Sequence, residues 1–476
     1  LLLLSAAVVS PQAAAAQTVP ACDPNALTQI ASVNEDGQTA PMFIYSELDI
    51  SYDGRYIGFV TYDNLDPGTE HFQVKLRDRL TCQTEVVSLT SDETTIADAW
   101  GYIAVSFDAR FVAFDSPSSG IDPQDNDTVN DVYVRDRLLG VTTLASINPD
   151  GQKFTCRSVL YDMSDDGRFV LFLAEDSQVC WSGLSQLYVR DLVLNTTELV
   201  SVSTQGDTAQ FPVGGRDMVA EMSADGSLIV FDSPASNLVP NDTNNTIDIF
   251  VRNRQTGETT LISHNNQGEE GNGSSHQPRV TDNGRFITFT STATNLMPGG
   301  NSNWGTYLYD RQSGSLDRLV MDIDGLPYPA DGIISDDGRY ITYTFLYQDR
   351  IFVVDRQTGA LVELPPVDPD LPTDSTMVFM QAMSGDGRHL VYTHRINGWW
   401  IVNPPVVYIA EWQRLLPPAA PTPLTPTSAL PVTQPTFTWN TVTDGAWYYL
   451  WVTGADGHVL DQWYDAWNIC TGDTCS

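Results

Sequence analysis

The chain has 476 residues, with 60 acidic against 24 basic side chains, a formal net charge of −36 and a pI near 4.1. That balance excludes a general nucleic-acid surface, which needs clustered Lys and Arg; Lys75 and Lys153 are the only lysines. An acidic surface favours solubility and attracts cations.

The first element is apolar. Leu1-Leu2-Leu3-Leu4 leads to Ala13-Ala14-Ala15-Ala16-Gln17, an h-region before a small-residue cleavage site. Residues 1–16 therefore read as a signal-peptide remnant without a Met or a basic n-region, and a short core helix is the alternative. The signal reading predicts an exported protein: secreted, at the cell surface or periplasmic. No other stretch approaches the ~20 apolar residues of a membrane-spanning helix, so no integral membrane segment is expected in the mature chain.

Next comes a phrase repeated seven times, Ser-x-Asp-Gly-Arg followed by alternating aromatic and aliphatic residues. The copies begin at Ser51, Ser106, Ser164, Ser223, Thr281, Ser335 and Ser384, spaced 49 to 59 residues apart. Three drift from the phrase: Ala109 replaces the Gly, Ser227 the Arg and Asn283 the Asp. Asp-Gly between strand-like runs predicts a tight turn, and the period-two run after it predicts a strand. A second phrase follows, as in Asp131-Val132-Tyr133-Val134-Arg135-Asp136 and Asp248-Ile249-Phe250-Val251-Arg252-Asn253. A polar turn and a short fourth strand complete each unit. Four-stranded units at a fixed period predict the blades of a β-propeller.

The seventh third-strand phrase, Val406-Val407-Tyr408-Ile409-Ala410-Glu411, runs into proline without a fourth strand. Residues 27–33 match the missing strand in character and are predicted to clasp the last blade to the first. The expected fold is all-β: a seven-bladed propeller over residues 22–416 whose N-terminal strand completes the last blade. These residues resemble the WD40-like repeat of TolB-type propeller proteins, whose blades carry Ser-Pro-Asp-Gly-(Lys/Arg) before a strand and then (Ile/Val)-Tyr-Val-x-Asp. The resemblance spans residues 27–412 and implies the repeat architecture. The small α/β domain that precedes the TolB propeller has no counterpart here, so the role in the Tol system is not carried over.

Residues 417–432 are proline-rich and read as a stiff linker. In residues 433–476, Thr436-Phe437-Thr438-Trp439 and Trp447-Tyr448-Tyr449-Leu450-Trp451 alternate like sandwich strands. They predict the opening of a fibronectin type III-like or Ig-like module, cut short against the ~100 residues of a whole sandwich. Proximity pairs the six cysteines as Cys22–Cys82, Cys156–Cys180 and Cys470–Cys475, one of fifteen connectivities. Isolated buried thiols are the alternative.

Two acidic loops between second and third strands share the pattern Asp-x-(Asp/Asn)-x-x-x-Asp: Asp125, Asp127, Asp131 and Asp242, Asn244, Asp248. Such loops could gather oxygen ligands around calcium, a hard cation that wants six to eight of them. Turn closure by the Asx side chains is the competing reading. Neither loop has the EF-hand Gly or distal Glu.

Among motifs of catalysis, HExxH, GxSxG and the Walker loop are missing, and no catalytic residue is assigned. His389 and His394, five apart near a strand, do not suit a shared metal. Residues that break the repeat are better guides to function: Trp100, Tyr102, His276, Trp304, Tyr328, Trp399 and Trp400 fall in or beside loops predicted to open opposite the Asp-Gly turns. Aromatics beside Asp and Asn suit a saccharide or peptide; packing between blades is the alternative for each. The sequence thus predicts a monomeric, non-catalytic propeller that binds a protein, peptide or glycan on its loop face, with calcium as a candidate stabiliser. The alternative is an extracellular polysaccharide-active enzyme, a lyase or glycosidase, with an unrepeated acid or His cluster in the central channel.

Overall fold

The computed structural model describes residues 28–32, 48–63, 71–99, 101–175, 180, 185–210, 219–298, 305–319, 329–345, 351–359, 361–364, 376–385, 387–396 and 406–411. It also describes strand segments at 423–425, 438–440, 447–454, 457–465, 470–471 and 474–475. The expected signal segment 1–16 lies outside the described residues. No described helix is long and apolar enough to cross a membrane.

The chain divides into two units, residues 1–411 and 412–476. The first is an all-β propeller of four-stranded antiparallel blades. After β1 (Thr28–Ile30), blade one is β2–β5 (Asp49–Ile50, Tyr56–Asp63, His71–Asp78, Gln83–Val86) and blade two β6–β9 (Ile103–Val105, Phe111–Ser116, Asp131–Asp136, Val141–Leu144). Blade three is β10–β13 (Ser158–Met163, Phe169–Glu175, Ser185–Asp191, Thr196–Leu199) and blade four β14–β17 (Ala220–Met222, Leu228–Ser233, Asp248–Asn253, Glu258–Leu261). Blade five is β18–β21 (Ser275–Val280, Phe286–Ser291, Gly305–Asp310, Ser315–Leu319) and blade six β22–β25 (Pro329–Ile334, Tyr340–Phe345, Ile351–Asp355, Leu361–Glu363). These six blades use consecutive strands. A composite sheet then joins β26–β28 (Thr376–Met383, His389–Ile396, Val406–Glu411) to β1, with Thr28 opposite Ala410 and Ile30 opposite Tyr408. The seventh Ser-x-Asp-Gly phrase therefore enters through a sheet shared by the two ends of the unit.

Each repeat phrase builds one device. In blade one the Ser51 hydroxyl donates to Asp53 Oδ1 (2.8 Å) and accepts the Tyr56 amide (2.9 Å), while Asp53 Oδ1 also accepts the Arg55 amide (3.0 Å). The Arg55 guanidinium then grips Asp78 at the end of β4 with two bonds, 3.1 and 2.6 Å. Blades two, three and five repeat the two-pronged pair as Arg110–Asp136, Arg168–Asp191 and Arg285–Asp310; in blade six both arms of Arg339 reach one oxygen of Asp355. Blade four has lost both partners together, with Ser227 and Asn253 in their places. The arginines of the repeat phrases thus serve the blades, as their periodicity suggested.

The apolar core lies in layers between adjacent sheets. Val60, Val74 and Leu76 of blade one pack with Val105, Phe114 and Tyr133 of blade two, and equivalent clusters join blades two to three, three to four, four to five and five to six. Another cluster sets Ile57 and Phe59 of blade one against Val391 and Ile409 of the composite sheet. The turn glycines seat on these seams. Gly167 has φ +70°, and a Cβ there would overlap the Phe111 ring of the preceding blade; Gly54, at φ +71°, sits against His389 of the composite sheet in the same way. His389 Nε2 is also 2.8 Å from the Arg79 guanidinium. Ala109, the drifted copy, keeps the left-handed conformation at φ +56°.

Cys156 and Cys180 form a disulfide with S–S 2.02 Å. Cys82 is also disulfide-bonded, and Cys22, its expected partner, lies outside the described residues. In the second unit Cys470 stands opposite Cys475 in the register of β33 (Cys470–Thr471) and β34 (Thr474–Cys475). That unit orders one sheet β29-β30-β34-β33, with β29 Pro423–Thr425 and β30 Thr438–Asn440, and one hairpin of β31 (Trp447–Gly454) and β32 (Gly457–Asp465). The expected linker thus supplies an edge strand, the position in a sheet that tolerates proline.

Gly167→Ala is expected to destabilise the propeller by about 2–4 kcal/mol, because a Cβ meets both the left-handed backbone and the Phe111 ring. Urea denaturation followed by tryptophan fluorescence checks this; a loss under about 0.5 kcal/mol would contradict the wedge.

Candidate functional site: an acidic channel and two acidic loops

The first strand of each blade leaves one edge unpaired toward the axis, and those amides need acceptors. They find them in the neighbouring blade. Two residues before the repeat Ser, Asp49 of blade one accepts the Val105 amide of blade two at 2.6 Å and its neighbour Ile50 at 2.8 Å. Asp162 of blade three does the same for Met222 of blade four and Met163, both at 2.7 Å. Glu221 of blade four accepts the Val280 amide of blade five and pairs with Arg279 at 3.0 Å. Glu221 makes the same bond across the seam with a side chain one methylene longer, and gives its other oxygen to Arg279 instead of a local amide.

A second tier lies one residue after the repeat Ser. The Tyr52 amide donates to the Phe107 carbonyl (3.3 Å), Phe107 to Asp165 (2.9 Å), Asp165 to Ala224 (2.9 Å) and Ala224 to Asp282 (3.0 Å). At the next step a side chain substitutes: the Asp282 amide donates to Asp336 Oδ1 (2.8 Å), and the Asp336 carbonyl accepts Asn283 Nδ2 (2.8 Å). Asp336 Oδ2 is buried and accepts no hydrogen bond among the described residues.

These tiers line a cavity of about 210 Å³, to which the inner strands of all six blades and of the composite sheet contribute. Its wall is acidic at Asp49, Asp162, Asp165, Glu221, Asp282 and Asp336, and Arg279 is the one basic residue of the wall among the described residues. Tyr52 and Phe107 stack beside the second tier at 4.5 Å between centroids. Burial raises Asp49 to about 7 and Asp162 well above the usual carboxylate range. Burial and the charge of Asp282 raise Asp165 to about 7. Burial raises both Asp282 and Asp336; the Asp336 carboxylate pushes Asp282 up further, to about 8, whereas the bonds from Asp282 oppose the rise of Asp336.

The two acidic loops are built alike and balanced differently. In blade two, Lys153 Nζ lies 2.6 Å from Asp131 Oδ2, 3.1 Å from Asp127 Oδ1 and 3.8 Å from Asp125 Oδ1. The Tyr133 hydroxyl donates to Asp125 Oδ2 at 2.7 Å. Each loop brings one oxygen of three carboxylates within 4.8 Å of one another, from Asp125, Asp127 and Asp131 in blade two and from Asp242, Asp248 and Glu270 in blade four. Asn244 Nδ2 donates to Asp248 Oδ2 at 2.8 Å, and its Oδ1 accepts the Thr246 amide.

Of the aromatic and His candidates, Tyr102 lines the cavity, 5.5 Å from the Tyr161 ring. His276 lies on β18, its Nδ1 3.6 Å from Asp232 Oδ2, and is no part of the cavity wall. Trp100, Trp304, Tyr328, Trp399 and Trp400 lie outside the described residues. Sequence reasoning missed both channel tiers and Glu270. The available signal was the variation at two fixed offsets from the repeat Ser, where acids replace apolar residues in some blades only.

These carboxylates set the pH response. Asp310 and Asp355, held near 2 by Arg285 and Arg339, stabilise the fold above pH ~4 and lose that contribution as pH falls toward 2. Asp49 and Asp165 bind protons in the folded chain that the unfolded chain has already lost, so stability falls as pH rises from ~4 to ~7. The melting temperature should therefore peak near pH 4–5, and Asp165→Asn should flatten the decline above it. A melting temperature rising steadily from pH 4 to 7 would contradict this assignment.

No family model matches the chain, and no curated protein matches it. Similar solved structures include an oligogalacturonate lyase from Vibrio parahaemolyticus, 11% identical over 78% of this chain and 90% of the other, with a TM-score of 0.48. TolB from Acinetobacter baumannii is 16% identical over 75% of this chain and 80% of the other, at a TM-score of 0.35. The β-propeller domain of Cps50 (Swd1) from Myceliophteria thermophila is 10% identical over 78% of this chain and 98% of the other, at 0.43.

Proposed function

We propose that the chain is a non-catalytic binding propeller whose acidic channel takes up a basic side chain or chain end of a protein or peptide. One observation carries this reading: Asp165, Asp282 and Asp336 converge on a cavity whose described wall holds a single guanidinium. Asp49, Asp162 and Glu221 already accept amides of the next blade, whereas Asp336 spends only Oδ1 on a neighbouring amide and keeps Oδ2 without a donor among the described residues, which leaves this tier to meet a ligand. At about 210 Å³ the cavity is smaller than the ~300–1,000 Å³ pockets that enclose drug-sized ligands. That size suits one lysine or arginine side chain better than a glycan, and the stacked Tyr52 and Phe107 offer its alkyl stem an apolar flank.

The same reading takes the composite sheet as the last blade of a seven-bladed, monomeric ring. The contact of Gly54 with His389 supports that closure. Export is part of the proposal, supported by the Cys156–Cys180 disulfide, a bond typical of oxidising compartments. The segment from residue 433 is read as a fibronectin III- or Ig-like spacer or second binding module. A structural calcium ion in the acidic loops belongs to the reading too, because calcium seeks carboxylate and amide oxygens.

A polysaccharide-active enzyme is the second reading, favoured by the Asp282–Asp336 pair. Two neighbouring carboxylates whose environments shift their protonation are an arrangement that acid–base catalysis uses.

Calorimetric titration with oligolysine at low salt tests the proposal. Binding is expected, weakening with added salt, and the Asp165→Asn/Asp336→Asn variant should lower affinity tenfold or more, a loss of at least about 1.4 kcal/mol. Unchanged affinity in the variant would count against the channel. Polysaccharide cleavage abolished by Asp282→Asn would favour the enzyme.

A further inference from the structure

The two acidic loops differ at two positions that meet the same carboxylate. Asp125 of blade two corresponds to Asp242 of blade four, Asp131 to Asp248 and Asp127 to Asn244, by the shared loop pattern. The supporting serine is kept: Ser146 donates to Asp131 Oδ1 at 2.7 Å and Ser263 to Asp248 Oδ1 at 2.6 Å. The isolated bridges Ile147–Lys153 and His264–Glu270 place Glu270 where Lys153 stands. The strand register places Phe250 where Tyr133 stands, opposite Leu261 and Leu144 respectively.

Blade two therefore answers its acids from within, by an ammonium and a phenol. Blade four replaces the ammonium with a third carboxylate and the phenol with a bare ring. Asp242 is left 7% exposed, and both of its carboxylate oxygens are buried without a hydrogen bond among the described residues. One of its oxygens lies within 4.8 Å of one oxygen each of Asp248 and Glu270. Asp248 is held by Ser263 and Asn244, and Glu270 by Thr243, but a buried carboxylate left unanswered, as Asp242 is, is costly. Three carboxylates converging on one point, one of them without a donor among the described residues, describe a receptor for positive charge.

We propose that the blade-four loop is a calcium-type cation site formed by Asp242, Asp248 and Glu270, and that Lys153 is the built-in counterpart of that cation in blade two. The inference rests on the reading that these loops answer to a cation, and it assigns the ion to one of them. It is independent of the ligand read for the channel. Glu270 is also the residue that ties the site to its loop, since it accepts the Thr243 amide at 3.0 Å and the Thr243 hydroxyl at 2.8 Å. Cation uptake thereby couples the loop after β15 to the turn after β17.

The experiment is calcium chloride titration of the full chain by calorimetry, with thermal melts in calcium and in EDTA. The expected result is one calcium ion per chain and a melting temperature raised by calcium. Asp242→Asn should weaken calcium binding roughly 10–100-fold, the usual effect of damaging a metal site. Glu270→Lys with Phe250→Tyr rebuilds the blade-two arrangement. That variant should fold with an unchanged circular dichroism spectrum, melt at the same temperature with or without calcium, and bind none. Lys153→Glu with Tyr133→Phe should raise the stoichiometry to two. Calcium binding kept by the Glu270→Lys/Phe250→Tyr variant and lost on Asp131→Asn would overturn the assignment to blade four while leaving the cation reading of the loops standing. No calcium uptake by the unmodified chain would overturn both.

Discussion

Every blade of this propeller ends, toward the axis, in a strand edge that no further strand can pair. The architecture depends on how those edge amides are satisfied. Here they are passed around the ring: the residue after each repeat Ser donates to its equivalent in the next blade, from Tyr52 through Phe107, Asp165 and Ala224 to Asp282. Two residues before the Ser, carboxylates of Asp49, Asp162 and Glu221 reach across to the next blade's amide. A propeller axis built this way is polar by necessity. It is acidic because a carboxylate accepts two amides at once, one local and one across the seam, as Asp49 and Asp162 both do.

The charge that comes with those acceptors then has to be managed in a confined space. At the strand turns the solution is pairing: Arg285 and Arg339 hold Asp310 and Asp355 ionised. Inside the channel the solution is proton retention, because burial raises Asp49 and Asp165 to about 7 without a guanidinium to oppose it. The two regimes share one fold and follow the partner available. Asp310 and Asp355 stabilise as anions beside a guanidinium, and Asp49 and Asp165 keep their protons, as do buried acids of the blades such as Asp115.

Much of this was legible in the sequence wherever a residue recurs. Ser51, Asp53, Gly54 and Arg55 form one hydrogen-bonded turn, and because every blade needs that turn the phrase repeats and reveals the fold. The clasp was legible for the same reason, as a fourth strand present at one end and missing at the other; β1 pairs with β28 accordingly. The channel was not, because its wall is made at offsets where the repeat tolerates anything. Position two before the Ser holds Asp49, Ala104, Asp162, Glu221, Arg279, Ile333 and Ala382. Such a column looks like drift along the chain and becomes a ring only when the blades are set side by side. Looking for chemistry on the loops opposite the turns directed attention away from Asp165, Asp282 and Asp336, which adjoin the turns themselves. Among the described residues, Tyr102 is the loop-side aromatic candidate that reaches the cavity.

Departures from the repeat are informative when they are judged in pairs. Blade four lacks both the turn arginine and its aspartate, with Ser227 and Asn253 instead, and nothing is left unbalanced: Asn253 Oδ1 still accepts the Gln255 and Thr256 amides at 2.9 and 3.0 Å. That coordinated loss is drift under the constraint that a lone buried charge is not tolerated. The same blade changes Tyr133 and Lys153 to Phe250 and Glu270, and there the change removes two partners of one carboxylate while retaining the carboxylate. At position 253 the acid is absent where its arginine is absent, whereas Asp242 is present where Tyr133 and Lys153 have no counterpart. That Asp242 stays, buried between Asp248 and Glu270, separates a position kept for an external charge from a position merely released by its neighbours.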